Sequence, residues 1–342
     1  MFAHSNDYAQ FCGRNPWAPT RTRPTVNKNM LLGTAERRLG VRPSPVAYEG
    51  FSLLEMMVSM ALMMVIAGGI FSALSSSQQS YARTELKSDM YENVRGAAEL
   101  MAQEIGQAGL VSLPASTLSA VVSANAIAQT VNVSSTASMF VNEQVLVDAS
   151  TNNEELVTLT AVTASTITGI FGKPHAAGVP INVLGVFPNG VVAPATTDGS
   201  TANVLNIFGD INADGSLVYV RYTCTPGTAA APGTLTRSVT TILPGINTLS
   251  ASQTLLSTVV GGTGTVCFQY TTTAAAGFTF VTNIGFTLSV QATRPDPQTG
   301  VYPQMTKSFL NLAPRNVSAG LELANVGITT RLQPTPANVL VY

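Results

Sequence analysis

Charged side chains are scarce in this chain. Asp, Glu, Lys and Arg make up 10% of its 342 residues, against about 25% in a typical soluble domain. The formal net charge is −1, and no run of like charges is longer than two residues. A nucleic-acid-binding protein concentrates Lys and Arg on one face or in one stretch. The composition therefore argues against nucleic acid as a partner.

Side chains that commonly carry catalysis are also few. The chain has two histidines, His4 and His175, and three cysteines. No glycine-rich phosphate loop ending in Lys-Ser/Thr occurs, and no serine stands in a nucleophile elbow. A Ser-His-acid set after residue 50 would have to be built on His175 alone. We therefore expect a protein that is not an enzyme, that needs no cofactor and whose His175 lies exposed in the loop 174–178.

One long apolar run, 56–74, contains no charge and no proline. Its nineteen residues are close to the ~20 that a helix needs to cross the hydrocarbon core of a membrane. Arg37, Arg38 and Arg42 precede it, and such a basic flank stays cytoplasmic. The pattern predicts a single-pass helix in a bacterial inner membrane, with the N-terminus inside. A secreted protein is the alternative, but a signal peptide has a shorter apolar core followed by a cleavage site.

The segment 75–110 that follows has no proline and is rich in helix-forming residues. Its apolar residues recur every three or four positions, which places them on one face of a helix. They are Met90, Val94, Ala97, Met101, Ile105 and Ala108. The sequence thus predicts one helix over 53–108, whose second half packs an apolar stripe on the rest of the protein.

Gly50, Phe51 and Glu55 stand at the start of this helix. A carboxylate at the edge of a membrane helix is costly to bury in lipid. The string Gly-Phe-Ser-Leu-Leu-Glu, followed by an apolar and then an amphipathic helix, resembles the class III signal of type IV pilins and pseudopilins. The resemblance implies that a prepilin peptidase cleaves after Gly50 and N-methylates Phe51. It also implies that Glu55 pairs with a buried N-terminal ammonium during assembly.

The resemblance divides the chain into four parts. A basic leader at 1–50 is removed, a transmembrane helix covers 51–75, an amphipathic helix covers 76–110, and a β-rich globular domain covers 111–342. The leader is longer than is usual in the family, and Met30 offers an internal start. The implied partners are the prepilin peptidase, other major and minor pilins, and the inner-membrane assembly platform.

Two further segments resemble one subgroup of this family. The segment 80–110, with Glu92-Asn93-x-Arg95, is similar to PilW/PulJ-type minor pilins, although Glu104 and Gly106 depart from their pattern. The segment 309–316 ends in Arg-Asn and resembles their last strand, where this pair closes the sheet. These matches imply a minor pilin.

After residue 111 the sequence changes to short runs rich in Val, Thr, Ile and Phe, separated by Gly, Asn, Pro and Asp. This pattern predicts an α+β fold in which the long helix packs on an antiparallel β-sheet. Asp214-Gly215 predicts a hairpin turn within that sheet. Four short runs predict a small β module inserted at about 138–186.

Two cysteines, Cys224 and Cys267, follow the leader. They can form a disulfide in the oxidising compartment outside the membrane, and two buried free thiols are the alternative. Asp210, Asn212 and Asp214 match the opening of a calcium loop. Arg221 occupies the position of the bidentate Glu in such a loop, so we expect a turn there rather than a metal site.

Three functions remain open on the sequence. The first is a minor pilin that is assembled into, or initiates, a periplasmic or cell-surface filament. A type II secretion pseudopilin is the alternative within this class, because it has the same signal. The second is a filament-tip adhesin that binds through the β module, whose only basic groups are Lys173 and His175. The third is an uncleaved, signal-anchored enzyme, for which no catalytic set is present in the sequence.

Overall fold

The structure is a computed structural model of the chain. It describes residues 50–194, 196, 198–243, 248–261 and 264–342. His4, Met30, Arg37, Arg38 and Arg42, on which the leader prediction depends, lie outside the described residues. Contacts divide the chain into two compact units, Met1–Met63 and Met64–Tyr342.

The first helix, α1, spans Leu53–Gln107, and the prediction of one unbroken helix is confirmed. It lacks proline and is rich in Ala, Leu, Met and Glu, which favour helix. The helix ends before Gly109, which has a φ of 82°. A side chain at that position would also bring its Cβ to 2.9 Å from the carbonyl oxygen of Phe187. Only glycine meets both requirements, so it stops the helix there.

An antiparallel seven-stranded sheet, here called the main sheet, is the largest sheet of the described residues. Its strand order is β12-β13-β11-β10-β9-β8. The remaining strand, β14, also pairs with β13 and lies outside this linear order. Asp214 and Gly215 lie in the connection between β8 and β9, and the predicted antiparallel sheet is confirmed. The strands are β8 (Val204–Gly209), β9 (Val218–Thr225), β10 (Gly233–Thr241), β11 (Gln253–Val259), β12 (Phe268–Ala275), β13 (Phe278–Gln291) and β14 (Gln304–Leu312).

Seven short strands between α1 and the main sheet form the β module. They make a four-stranded sheet of order β1-β7-β3-β4 and a three-stranded sheet of order β2-β6-β5. The first two strands precede the predicted segment 138–186. The sequence did not indicate them, because runs of two to four residues have too little periodicity to mark a boundary. The strands are β1 (Ser116–Thr117), β2 (Gln129–Asn132), β3 (Gln144–Val147), β4 (Glu155–Thr158), β5 (Ala161–Val162), β6 (Thr166–Gly169) and β7 (Pro180–Val183).

The described residues form three apolar cores, two of which are called here the main-sheet core and the module core. The main-sheet core combines the α1 stripe with inward residues of the main sheet such as Leu235 and Phe286. All six predicted stripe residues are buried, which confirms the stripe. Each large side chain buried there stabilises the fold by about 1.5–3 kcal/mol. The module core joins the two small sheets through residues such as Val145, Ile167 and Phe171.

A second helix, α2, spans Arg315–Asn325 and follows β14. The prediction that Arg315 and Asn316 close the sheet is therefore wrong. Pro314 stands between strand and helix at the N-cap of α2, and proline, having no N–H, cannot extend a ladder. The Asn316 amide instead donates to the carbonyl oxygens of Gln107 at 3.0 Å and Ala108 at 3.4 Å, so it satisfies the end of α1.

The segment after α2 returns to the β module. It contains the 3₁₀ turns Thr329–Arg331 and Ala337–Leu340. Between these turns, the buried Gln333 amide donates to the carbonyl oxygens of Gln144 and Leu184, each at 2.8 Å. Its oxygen accepts the Gln144 N–H at 3.0 Å. One side chain thus joins this segment to two parts of the β module.

Candidate processing site and assembly helix

The peptide bond between Gly50 and Phe51 lies in an exposed segment without regular secondary structure before α1. Phe51 is 82% exposed. The first helical hydrogen bond runs from the Met56 N–H to the Ser52 carbonyl oxygen, at 3.1 Å. A Cβ at Gly50 would meet nothing within 4 Å. The fold itself therefore does not require glycine at this position, and the bond is open to an enzyme.

Glu55 lies in the first turn of α1 and is exposed. A carboxylate there interacts favourably with the N-terminal end of the helix dipole. Within the described part of the chain, no Lys, Arg or His side chain forms an ion pair with it.

The apolar part of α1 has no protein cover. Every residue of 56–74 is exposed. Among the described residues, α1 is the one helix long and apolar enough to cross a membrane, and none of its most apolar stretch is buried. It is therefore not the core helix of a soluble domain. So large an apolar surface needs lipid or other helices around it.

The second half of α1 carries a buried acid that the predicted stripe does not include. Glu104 is buried beside Met101 and Ile105. Its carboxylate accepts hydrogen bonds from the Tyr222 hydroxyl and the Arg237 guanidinium, so it joins α1 to β9 and β10. Burial, together with the Glu104 carboxylate, raises the pKa of Tyr222, so the phenol keeps its proton and donates. Glu104 lies three residues after Met101 and one before Ile105, which places it on the buried side of α1. This helical position was the signal in the sequence that could have predicted a buried acid.

The two cysteines after the leader meet in the main-sheet core. Cys224 on β9 and Cys267 just before β12 form a disulfide that closes a separation of 43 residues. Both are buried. The alternative of two buried free thiols is not what the structure has.

The predicted turn at 210–215 uses its own carboxylates internally. Asp210 accepts the N–H groups of Asp214 at 3.0 Å and Gly215 at 2.9 Å, and it also accepts the Ser112 hydroxyl. Asp214 accepts the Ser216 N–H at 2.8 Å. Asn212 lines an open groove near the end of α1. No group of three His, Cys, Asp or Glu residues within the described segments is placed to hold a metal ion.

Arg221 lies away from this turn. It belongs to β9 and donates to the Asn206 side-chain oxygen at 3.0 Å and to the Tyr342 carbonyl oxygen at 2.6 Å. The comparison with a calcium loop therefore fails at its twelfth position for a structural reason: that residue is already part of a strand, with its side chain engaged elsewhere.

The prediction of an exposed His175 is wrong. The residue is 2% exposed, and its backbone pairs with Val122 at 2.9 Å in both directions. Its Nε2 lies 2.6 Å from the Glu155 Oε1, and its Nδ1 lies 3.4 Å from the Asp148 Oδ2. Nothing in the local sequence marks this arrangement, because Pro, Gly and Ala around the histidine are equally typical of an exposed loop.

Comparisons with known proteins give one match. The family model described as the prokaryotic N-terminal methylation motif matches residues 47–71. No curated protein and no solved structure matches the chain. The motif supports a type IV pilin-like or pseudopilin-like protein anchored in a membrane, and it points to a structural role rather than to an enzyme. It also implies processing by a prepilin peptidase and assembly with other pilins.

Proposed function

We propose that this protein is a minor pilin, made as a membrane precursor and assembled into, or initiating, a type IV pilus-like filament. The observation that carries the proposal is the methylation motif at 47–71, which coincides with an exposed Gly50–Phe51 bond before an uncovered apolar helix. Lipid covers such a helix before assembly, and neighbouring helices cover it afterwards. A pilin subunit meets both environments in turn.

In this proposal three residues act before and during assembly. Cleavage after Gly50 creates an ammonium group at Phe51, which the peptidase methylates. That ammonium becomes buried among helices in a filament and needs an anion close to it. Glu55, which forms no ion pair within the described residues, supplies the anion to its own or a neighbouring subunit.

The proposal assigns the chain a leader at 1–50, a membrane helix at 51–75, an amphipathic helix at 76–110 and an outer domain at 111–342. The N-terminus lies inside and the outer domain outside the inner membrane. The partners are the prepilin peptidase, other pilins and the inner-membrane assembly platform. Within the family we favour the PilW/PulJ type, on the sequence pattern at 80–110, and a type II secretion pseudopilin is the alternative.

One observation favours an additional binding role for the β module. Val121, Ile127 and Ile170 of the module are exposed, with Ile127 and Val121 each more than 70% exposed. An adhesin at a filament tip would present apolar side chains of this kind to a ligand. Deleting these side chains should then reduce surface attachment while processing and assembly continue.

The proposal is tested by mass spectrometry of the full chain, expressed with and without a prepilin peptidase. We expect a mature N-terminus at N-methylated Phe51 that disappears without the peptidase or in Gly50→Val. Gly68→Ala is the matched control, because an added Cβ meets nothing within 4 Å at either glycine. We expect this control to be processed like the native chain.

Glu55→Gln separates processing from assembly. We expect this variant to be cleaved and to be lost from the filament fraction, because the buried ammonium no longer has its anion. A chain that keeps its leader beside an active peptidase, or that is cut after residue 74, would contradict the proposed function.

A further inference from the structure

The loop between β13 and β14, residues 292–303, lies at the end of the main sheet nearest to the apolar run of α1. β14 begins beside residues 84–91 of α1, with which residues 303–305 line a groove. It ends beside residues 100–107, with which Leu312 lines a second groove. β14 thus runs away from the apolar run, and the loop that precedes it stands at the near end. It is called here the β13–β14 loop.

An ion pair fixes the β13–β14 loop to α1. Arg83 Nε donates to Asp296 Oδ2 at 2.6 Å, and Arg83 Nη1 donates to the Gln298 side-chain oxygen at 2.9 Å. The Asp296 side chain is buried and also accepts the Gln298 N–H at 2.9 Å, so one carboxylate binds both the helix and the loop backbone. The Arg83 side chain leans toward the N-terminal end of α1, as side chains on a helix do. The pair therefore holds the loop on the side of the apolar run.

The distance along α1 from the apolar run to the globular part is short. All residues of 56–78 are exposed, and Gln79 is the first residue of the helix that is partly covered. It follows Leu74 by five residues, which is about 8 Å of helix. The headgroup layer on each side of a hydrocarbon core is about 5–8 Å thick. When the apolar run lies in a bilayer, the near end of the globular part is therefore level with the headgroups, and a tilted helix brings it closer still.

The β13–β14 loop exposes two large hydrophobic side chains and one cation without an ion pair. Val301 is 65% exposed and Tyr302 is 40% exposed. The adjacent loop 226–232, which lines a groove with Tyr302, contains no charged residue. Arg294 is exposed, and no carboxylate of the described residues pairs with it. Tyrosine is enriched at membrane–water interfaces, and a guanidinium binds phosphate through two parallel hydrogen bonds.

We propose that the β13–β14 loop docks on the phospholipid headgroups of the membrane that α1 crosses, with Val301 and Tyr302 at the apolar boundary and Arg294 on a lipid phosphate. This role rests on the proposed membrane anchorage of α1. The occupant is lipid because the Arg83–Asp296 pair makes the loop continuous with the membrane helix. Docking orients the main sheet on the membrane before assembly, and extraction of the subunit into a filament breaks the contact.

Tryptophan quenching in nanodiscs tests the proposal, with one full-length chain in each disc so that copies cannot contact each other. The discs contain phosphatidylethanolamine and phosphatidylglycerol, with a tracer lipid that carries a nitroxide on its headgroup or on its acyl chain. Trp17, the only tryptophan, is replaced by Phe. Val301→Trp is compared with Leu310→Trp, a position that is also 65% exposed but lies farther along β14. We expect the headgroup nitroxide to quench Val301→Trp at least about twofold and to leave Leu310→Trp almost unquenched.

Ile66→Trp separates failure of the docking from failure of the membrane anchorage. The acyl-chain nitroxide should quench this variant, because residue 66 lies within the apolar run. An unquenched Val301→Trp beside a quenched Ile66→Trp would overturn the docking alone and leave the loop to a neighbouring subunit. Equal quenching of Val301→Trp and Leu310→Trp would also overturn it. If Ile66→Trp is not quenched, both the anchorage and the docking are wrong.

A second change in the Val301→Trp chain tests the contribution of Arg294. We expect Arg294→Gln to reduce the quenching by about half, because the loop loses its contact with lipid phosphate. Arg331→Gln is the matched control, since Arg331 is also exposed, has no ion pair within the described residues and lies in the turn after α2. Equal effects of the two changes would overturn the role of Arg294.

Discussion

The main-sheet core and the module core both bury ionisable groups, but they balance them differently. Under α1, the negative Glu104 lies against the positive Arg237 and a neutral phenol, so the cluster is balanced in charge. In the β module, one imidazole lies between two carboxylates, and Glu143 is buried with its Oε1 unpaired. A cluster that pairs opposite charges needs no bound proton in the neutral pH range, whereas burial raises the pKa of the unpaired Glu143 carboxyl to about 8.

The two cores also differ in covalent support. The main-sheet core contains the disulfide between Cys224 and Cys267, and the described module has no cysteine. The main-sheet core also includes the amphipathic half of α1. A charge-balanced cluster and a disulfide thus support the part that anchors the helix, whereas the inserted module buries an acid whose pKa burial raises.

Glu104→Ala should produce the largest loss, because it leaves the buried Tyr222 hydroxyl and the part-buried Arg237 guanidinium without their acceptor. We expect the free energy of unfolding to fall by about 3–5 kcal/mol, measured by chemical denaturation in detergent. Glu99→Ala is the matched control, since Glu99 is an exposed partner of Arg95 on the same helix. That change should cost less than about 1 kcal/mol. Equal losses in the two variants would show that the buried cluster does not stabilise the helix–sheet contact.

Removing the disulfide should have the next largest effect. The double variant Cys224→Ser, Cys267→Ser no longer closes the 43-residue separation, so its unfolded chain is less restricted. We expect its free energy of unfolding to fall by about 3–4 kcal/mol. The measurement is denaturation with and without a reductant. The reductant should lower the stability of the native chain and leave the double variant unchanged. A native chain insensitive to reductant after complete unfolding and refolding would contradict this expectation.

Glu143→Gln should stabilise the β module, and the gain should depend on pH. Burial raises the pKa of Glu143 from 4.5 to about 8, partly opposed by the Phe140 N–H. A raised pKa contributes stability at low pH that is lost as pH rises from about 4.5 to about 8, because only the unfolded chain ionises there. We expect the glutamine variant to gain about 3 kcal/mol at pH 7 and much less at pH 5. A gain of equal size at both pH values would mean that ionisation is not the cause.

Local patterns were sufficient to predict the elements that depend on nearby residues. The apolar run, the Gly50-Phe51 motif and the three-to-four-residue spacing of the stripe each extend over a few helical turns, and α1 follows from them. The alternation after residue 111 likewise predicted an antiparallel sheet. The two module strands before residue 138, β1 and β2, and helix α2 were not predicted, because very short strands and a helix behind Pro314 have little periodicity of their own.

By itself, then, the amino-acid sequence determined the long helix, its exposed and buried halves, the α+β class and the methylation motif. Only the tertiary structure decided which buried charges meet. Glu104 lies 118 residues from Tyr222 and 133 from Arg237, and His175 lies 27 and 20 residues from its two carboxylates. The physical reason is that periodicity reports which face of an element is covered, whereas the identity of the covering group depends on how distant segments pack.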